Sequence, residues 1–219
     1  YHLLQTVFRF IDLADTLRFE PRSDDQVVLA TPTAGVAPQD NLVVRAAQAL
    51  KVAAGDTAAG ATIRLEKRIP MGGGLGGGSS DAATTLIALN HLWGFHLPRP
   101  QLQAIGLSLG ADVPVFIHGR NCFAEGIGEQ FTDVALPPAA YLLTFPAVAV
   151  PTPEIFRSPL LKRDTPAMTP ADWRPGCGGN DLEPVACTLY PEVARHLQTL
   201  RRFGDARMTG SGACCFVAC

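Results

Sequence analysis

Neither a long apolar run nor a lopsided charge marks this chain of 219 residues. The longest apolar stretch, residues 139–150, is broken by Thr144 and Pro146 well short of a bilayer's thickness, so no membrane span is expected. Lys and Arg number 18 against 20 Asp and Glu, a net charge of −2. That balance gives no electrostatic case for nucleic acid. The six cysteines lack C-x-x-C spacing, which argues against a zinc site or a disulfide framework and for reduced thiols in a cytosolic protein. His91, His96, His118 and His196 show no ligand spacing either, so no protein metal site is expected and these side chains are assigned surface or structural roles. No internal repeat and no signal peptide are visible. What remains is a globular chain, 47% hydrophobic, long enough for one large domain or two small ones. It opens at Tyr1 rather than Met and stops at Cys219 within an apolar run, so it is expected to be a fragment.

Alternation over residues 4–13 and 16–20 predicts two strands joined at Ala14-Asp15, with a third over 26–30. Asp40 or Asn41 is placed to cap a helix carrying Leu42, Val43, Ala46, Ala47 and Leu50 on one face until Gly55 ends it. Residues 61–69 alternate Ile63, Leu65 and Ile69 against Arg64, Glu66 and Arg68, as a half-buried strand does. A helix with Ala82, Ala83, Leu86 and Leu89 follows, with Ser79 or Ser80 as its cap. Another runs from Pro98 and Pro100 to Gly110. Pro114 is expected to hold Val113 away from helical angles, leaving Asp112 at a helix-to-extended junction. Strands are expected at 122–125 and 141–145, loop over 158–179, a helix over 191–203 and a glycine-interrupted strand or loop beyond 207.

The half-buried strand runs directly into six glycines flanking Leu75. Glycines let consecutive backbone N–H groups turn inward and admit an anion closely, and the helix start that follows adds its dipole. That arrangement suits phosphate, where a flexible linker or a tight turn is the plainer alternative. Gly72, Gly74 and Gly77 fit G-x-G-x-x-G, but the preceding strand alternates instead of being buried on both faces, and no acid lies about 20 residues further on. The G-x-x-x-x-G-K-[ST] pattern fails because no Lys follows the glycines.

The run Pro70-Met71-Gly72-Gly73-Gly74-Leu75-Gly76-Gly77-Gly78-Ser79-Ser80-Asp81-Ala82-Ala83 resembles the signature of the galactokinase, homoserine kinase, mevalonate kinase and phosphomevalonate kinase (GHMP) superfamily. Its doubled glycine triplet resembles the 4-diphosphocytidyl-2-C-methyl-D-erythritol kinase branch, which serves the non-mevalonate isoprenoid pathway. Asp40-Asn41-Leu42, the segment from Leu109 to Phe116, and Thr209-Gly210-Ser211-Gly212-Ala213 agree with it.

The resemblance implies an α+β, two-domain GHMP kinase fold. Residues 1–138 would form a nucleotide-binding domain like the second domain of ribosomal protein S5, and 139–219 an incomplete ferredoxin-like domain. It implies phosphorylation of the 2-hydroxyl of a cytidine diphosphate-linked methylerythritol by ATP with Mg²⁺. Pro70, Met71, Gly72, Gly73, Gly74, Leu75, Gly76, Gly77, Gly78, Ser79 and Ser80 would wrap the ATP phosphates, and Asn41 would lie close to the adenine. Asp112 would take or orient the proton of the acceptor hydroxyl, where sequence context alone favours a helix-end aspartate. Tyr1 and Phe156 would sandwich the cytosine, His2 would hydrogen-bond it, and Pro151, Thr152 and Pro153 would shape the ribose pocket. Phe156 as core and Tyr1-His2 as a frayed terminus are the plainer alternatives. Residues 209–213 resemble a third motif that closes against the phosphate loop. The family's Pro-x-x-Lys-x-Asn-Leu segment is missing, and Lys51 and Lys67 lie in the wrong contexts to substitute, so the chain as given is expected to be inactive or feeble. Another kinase of the superfamily, of homoserine or phosphomevalonate type, and a non-catalytic nucleotide-binding protein are the alternatives.

Overall fold

The computed structural model describes residues 3–55 and 59–219. Two compact units divide it: Tyr1–Ile69 with Gly76–Ala135, and Pro70–Leu75 with Leu136–Cys219.

The first unit begins with β1 (Thr6–Phe8), β2 (Thr16–Arg22) and β3 (Val27–Leu29), followed by α1 (Leu42–Ala54) and β4 (Gly60–Glu66). It continues through α2 (Gly77–Leu92), α3 (Arg99–Leu109) and α4 (Val113–His118) to β5 (Cys122–Glu125) and β6 (Gln130–Asp133). β4 is the centre of one sheet, antiparallel to β2 and parallel to β3, so β3, α1 and β4 form a crossover unit. β1, β5 and β6 make a separate antiparallel sheet. The stretch 4–13 therefore does not continue into β2 as a hairpin: only Thr6–Phe8 is strand, and it pairs with β5, more than 100 positions on in sequence, as in Val7 opposite Phe123.

The alternation in β4 does what periodicity two requires. Ala61, Ile63 and Leu65 are buried while Arg64 and Glu66 are exposed. Val43, Ala46, Ala47 and Leu50 of α1 close over that face together with Ala82, Ala83, Leu86 and Leu89 of α2. The ends of α1 are set by Asn41, whose side-chain oxygen accepts the Val43 N–H at 2.9 Å, and by Gly55 in the left-handed conformation. Residues 113–118 depart from the extended path expected of them. Pro114 sits in the first turn of α4, where its missing N–H costs nothing, so Val113 is helical after all.

The second unit holds β7 (Tyr141–Thr144), α5 (Thr152–Arg157), α6 (Leu182–Leu189), α7 (Pro191–Leu200), β8 (Arg207–Met208) and β9 (Cys215–Ala218). Its sheet has β9 in the middle, antiparallel to both neighbours. Val185, Val193, Leu197, Met208 and Val217 are at its core. Between α5 and α6 the chain is largely irregular, as its prolines and glycines predict. All six cysteines are free thiols. No helix among the described residues is long and apolar enough to cross a membrane.

Candidate active site

The glycine run joins β4 to α2. Its left-handed residues recur at every second position, with φ of 70° at Gly72, 71° at Gly74 and 68° at Gly76. Two of them have no room for a side chain. A Cβ on Gly74 would lie 2.7 Å from the carbonyl oxygens of Thr209 and Gly212, and one on Gly76 would lie 2.8 Å from the Phe116 ring. Backbone that alternates in this way turns successive N–H groups toward one concave side, and Gly76 delivers it into the N-terminus of α2. A helix N-terminus entered through a left-handed glycine is a place suited to an anion. Ser79 and Ser80 do not cap α2 as expected. The cap position is Gly76 and the helix starts at Gly77, so both serines lie inside the first turn and a half.

An ionic triad that sequence reasoning passed over lies beneath this start. The Lys67 ammonium donates to Asp15 at 2.5 Å and to Asp81 at 2.9 Å, and it lies 3.3 Å from where a Gly77 Cβ would be. Asp15 also accepts the backbone N–H groups of Arg68 and Ile69 at 2.6 and 2.8 Å. Three consecutive residues before Pro70 are thereby tied to one carboxylate. Burial pushes the Asp15 pKa up, but the hydrogen bonds from Lys67, Ile69 and Arg68 outweigh it and hold the carboxyl below its ordinary range. Asp81 has the opposite balance. Burial raises its pKa, Lys67 only partly offsets that, and repulsion from Asp15 adds to it, so it stands at about 6. Burial lowers the Lys67 pKa less than its two carboxylate partners raise it. The other lysine the sequence brings to mind, Lys51, gives its ammonium to the Asp25 carbonyl.

Asp112 precedes α4 and makes no capping bond. Asp112 is exposed, and desolvation by the protein around it is the one cause that raises its pKa. Ser79 is near this segment: a Cβ on Gly110 would lie 4.0 Å from its hydroxyl. Asn41 is 7% exposed and its amide is engaged on both sides, capping α1 and donating to the Thr33 hydroxyl at 3.0 Å. One N–H of that amide is left for a ligand.

In the second unit, Pro70–Leu75 packs against the turn at 209–213. The Cys214 N–H donates to the Gly73 carbonyl and the Thr209 hydroxyl to the Gly74 carbonyl, both at 3.1 Å. Thr152 begins α5 and its hydroxyl shares a 2.7 Å hydrogen bond with Ser211. Thr152 and Pro153 are exposed and Phe156 half-buried. Tyr1 and His2 lie outside the described residues. Pro70, Met71 and Gly72 are exposed, whereas Gly73, Gly74 and Leu75 are half-buried. Gly77 is half-buried and Gly78 exposed.

Residues 41–120 match the GHMP kinases N terminal domain and 170–219 the GHMP kinases C terminal domain. The chain is 63% identical over 217 residues to a 4-diphosphocytidyl-2-C-methyl-D-erythritol kinase of Dechloromonas aromatica, covering 99% of this chain and 79% of that protein. A crystal structure of 4-(cytidine 5'-diphospho)-2C-methyl-D-erythritol kinase superposes with a TM-score of 0.81 at 37% identity, over 99% of this chain and 81% of the other. A homoserine kinase from Cytophaga hutchinsonii has a TM-score of 0.70 at 19% identity, over 93% of this chain and 75% of that one, a likeness of fold alone. A glycine cradle leading into a helix, two α+β units, and this degree of identity over nearly the whole chain lead to one conclusion: the chain belongs to the 4-diphosphocytidyl-2-C-methyl-D-erythritol kinase family of the GHMP kinases.

Proposed function

We propose that the protein transfers the γ-phosphoryl group of ATP to the 2-hydroxyl of 4-diphosphocytidyl-2-C-methyl-D-erythritol. The observation that carries this reading is the run of left-handed glycines that ends at the N-terminus of α2. Backbone N–H groups at 72–78 bind the triphosphate there, with Pro70, Met71, Leu75 and the Ser79 and Ser80 hydroxyls around it. Asn41 uses its remaining N–H toward the adenine. Thr152, Pro153 and Phe156, with Tyr1 and His2, hold the cytidine end.

Asp112 orients the acceptor hydroxyl and takes its proton. Its raised pKa makes it a stronger proton acceptor than an ordinary aspartate. Among the described residues no three His, Cys, Asp or Glu side chains group to hold a metal ion. Mg²⁺ would accompany the phosphates, with the Ser79 or Ser80 hydroxyl as the protein oxygen on offer. When bound, it neutralises phosphate charge. Free thiols at all six cysteines suit a reducing cytoplasm.

Asp112→Asn tests the assignment. In an enzyme that carries the family's Pro-x-x-Lys-x-Asn-Leu segment, affinity for a non-hydrolysable ATP analogue should stay within about twofold, while turnover falls by about 10²–10⁴-fold. Near-normal turnover would remove Asp112 from the mechanism. CMP should compete with the alcohol substrate, and an enzyme indifferent to CMP would point to another acceptor.

A further inference from the structure

We propose that Asn180 is a positioning residue for the glycine cradle, acting through the turn at 209–213. The inference rests on reading residues 72–78 as the polyphosphate site. Every hydrogen-bonding atom of the Asn180 side chain is in use. Its amide nitrogen donates to the carbonyl oxygens of Met208 at 2.9 Å and Gly210 at 2.8 Å, and its oxygen accepts the Leu182 N–H at 3.0 Å. One planar amide thus grips the chain on both sides of Thr209 and anchors that grip to the start of α6. Glu183 completes it by accepting the Met208 N–H at 2.9 Å.

Thr209 is the link to the cradle. Its hydroxyl donates to the Gly74 carbonyl, its own carbonyl accepts the Gly212 N–H at 3.0 Å, and its N–H donates to the Cys214 carbonyl at 3.0 Å. Cys214 in turn donates to the Gly73 carbonyl. The carbonyls of Gly73 and Gly74 are therefore turned toward residues 209–214, which fixes the peptide planes on which the neighbouring N–H groups lie. The approach is tight, since a single Cβ on Gly74 would meet two carbonyl oxygens of the turn. Rotation of the Thr209 segment would release Gly74, and Asn180 is what holds that segment from the far side.

A carboxylate at position 180 would face two carbonyl oxygens and repel both. Protonated, it would regain one donor. The charged groups nearby include Asp181, the next residue and the cap position of α6, Glu183, its partner Arg201 at 3.4 Å, and Arg207, which binds Asp205 and the carbonyls of Gly176 and Gly178.

The test measures affinity for a non-hydrolysable ATP analogue in wild type, Asn180→Ala and Asn180→Asp, well below each melting temperature, where lost stability alone does not change affinity. Asn180→Ala should bind about tenfold more weakly, since the Thr209 segment loses its two hydrogen bonds through Met208 and Gly210, by a factor that does not vary with pH. Asn180→Asp should bind at least as weakly at pH 8 and recover toward wild type as the pH falls to about 5, relative to wild type at each pH. A stably folded Asn180→Ala that binds the analogue as wild type does would overturn the proposal. Should that variant fail to fold, an Asn180→Asp variant that binds normally at pH 8, or shows no recovery in acid, would overturn it equally. A wild-type protein that does not bind the analogue would instead refute the reading of the cradle, and the inference with it.

Discussion

Replacing Asp81 by Asn should stabilise the protein at pH 8, although it breaks an ion pair. Asp81 is 3% exposed, and the single ammonium within reach among the described residues is shared with Asp15, which already holds two backbone N–H groups. The triad therefore buries one uncompensated negative charge. A carboxyl with a folded pKa of about 6 and an ordinary value of 3.8 binds its proton more tightly when folded. Stability from that proton is fully present below about pH 4 and is lost as the pH rises through about 6. The interval corresponds to about 3 kcal/mol. Because the Lys67 side chain is 22% exposed and titration of the three groups is shared, we expect about 2 kcal/mol.

Asn keeps the carbonyl that accepts from Lys67 and discards the charge. At pH 8 the variant should melt about 4–8 °C above wild type. Its urea-derived stability should also lack the wild-type decline between pH 4 and 6. Asp15, whose pKa is lowered, contributes its stability above about pH 4 and loses it in stronger acid, so the two effects separate on the pH axis. A variant less stable than wild type at pH 8, or one that keeps the same decline, would refute this reasoning.

Gly76→Ala places a side chain at φ 68° against the Phe116 ring, so it should cost about 1–2 kcal/mol from the backbone alone. It should also weaken ATP-analogue binding measured by calorimetry. Asn41→Ala removes the cap of α1 and should lower stability in urea by about 1 kcal/mol. Phe156→Ala should raise the KM for the cytidylyl substrate about fivefold through lost stacking, with the KM for ATP unchanged. An equal rise in both constants would place Phe156 in the core rather than at the base.

The glycine cradle was legible because its chemistry is local: glycine is the residue that accepts left-handed angles, and the flanking strand and helix carry their own periodicity. The ends of α1 at Asn41 and Gly55 were legible for the same reason. The triad was not. Lys67, Asp15 and Asp81 are separated by 52 and 14 positions, and each reads alone as an ordinary surface charge. Strand pairing was hidden as well, since alternation says which face is buried and nothing of the partner; residues 4–13 looked continuous with β2 and joined another sheet. Val113 was misread because a proline in the first turn of a helix and one that ends a helix impose the same φ. The grip of Asn180 on Met208 and Gly210 spans 28 and 30 positions in a segment with little regular order, where no spacing rule applies.

The proposed phosphoryl transfer requires bare peptide nitrogens at 72–78 to hold a nucleotide's phosphates. A crystal structure with a non-hydrolysable ATP analogue tests it most directly. Phosphate oxygens should lie within hydrogen-bonding distance of those N–H groups and of the first turn of α2. An analogue bound elsewhere, with the glycine run untouched, would contradict it.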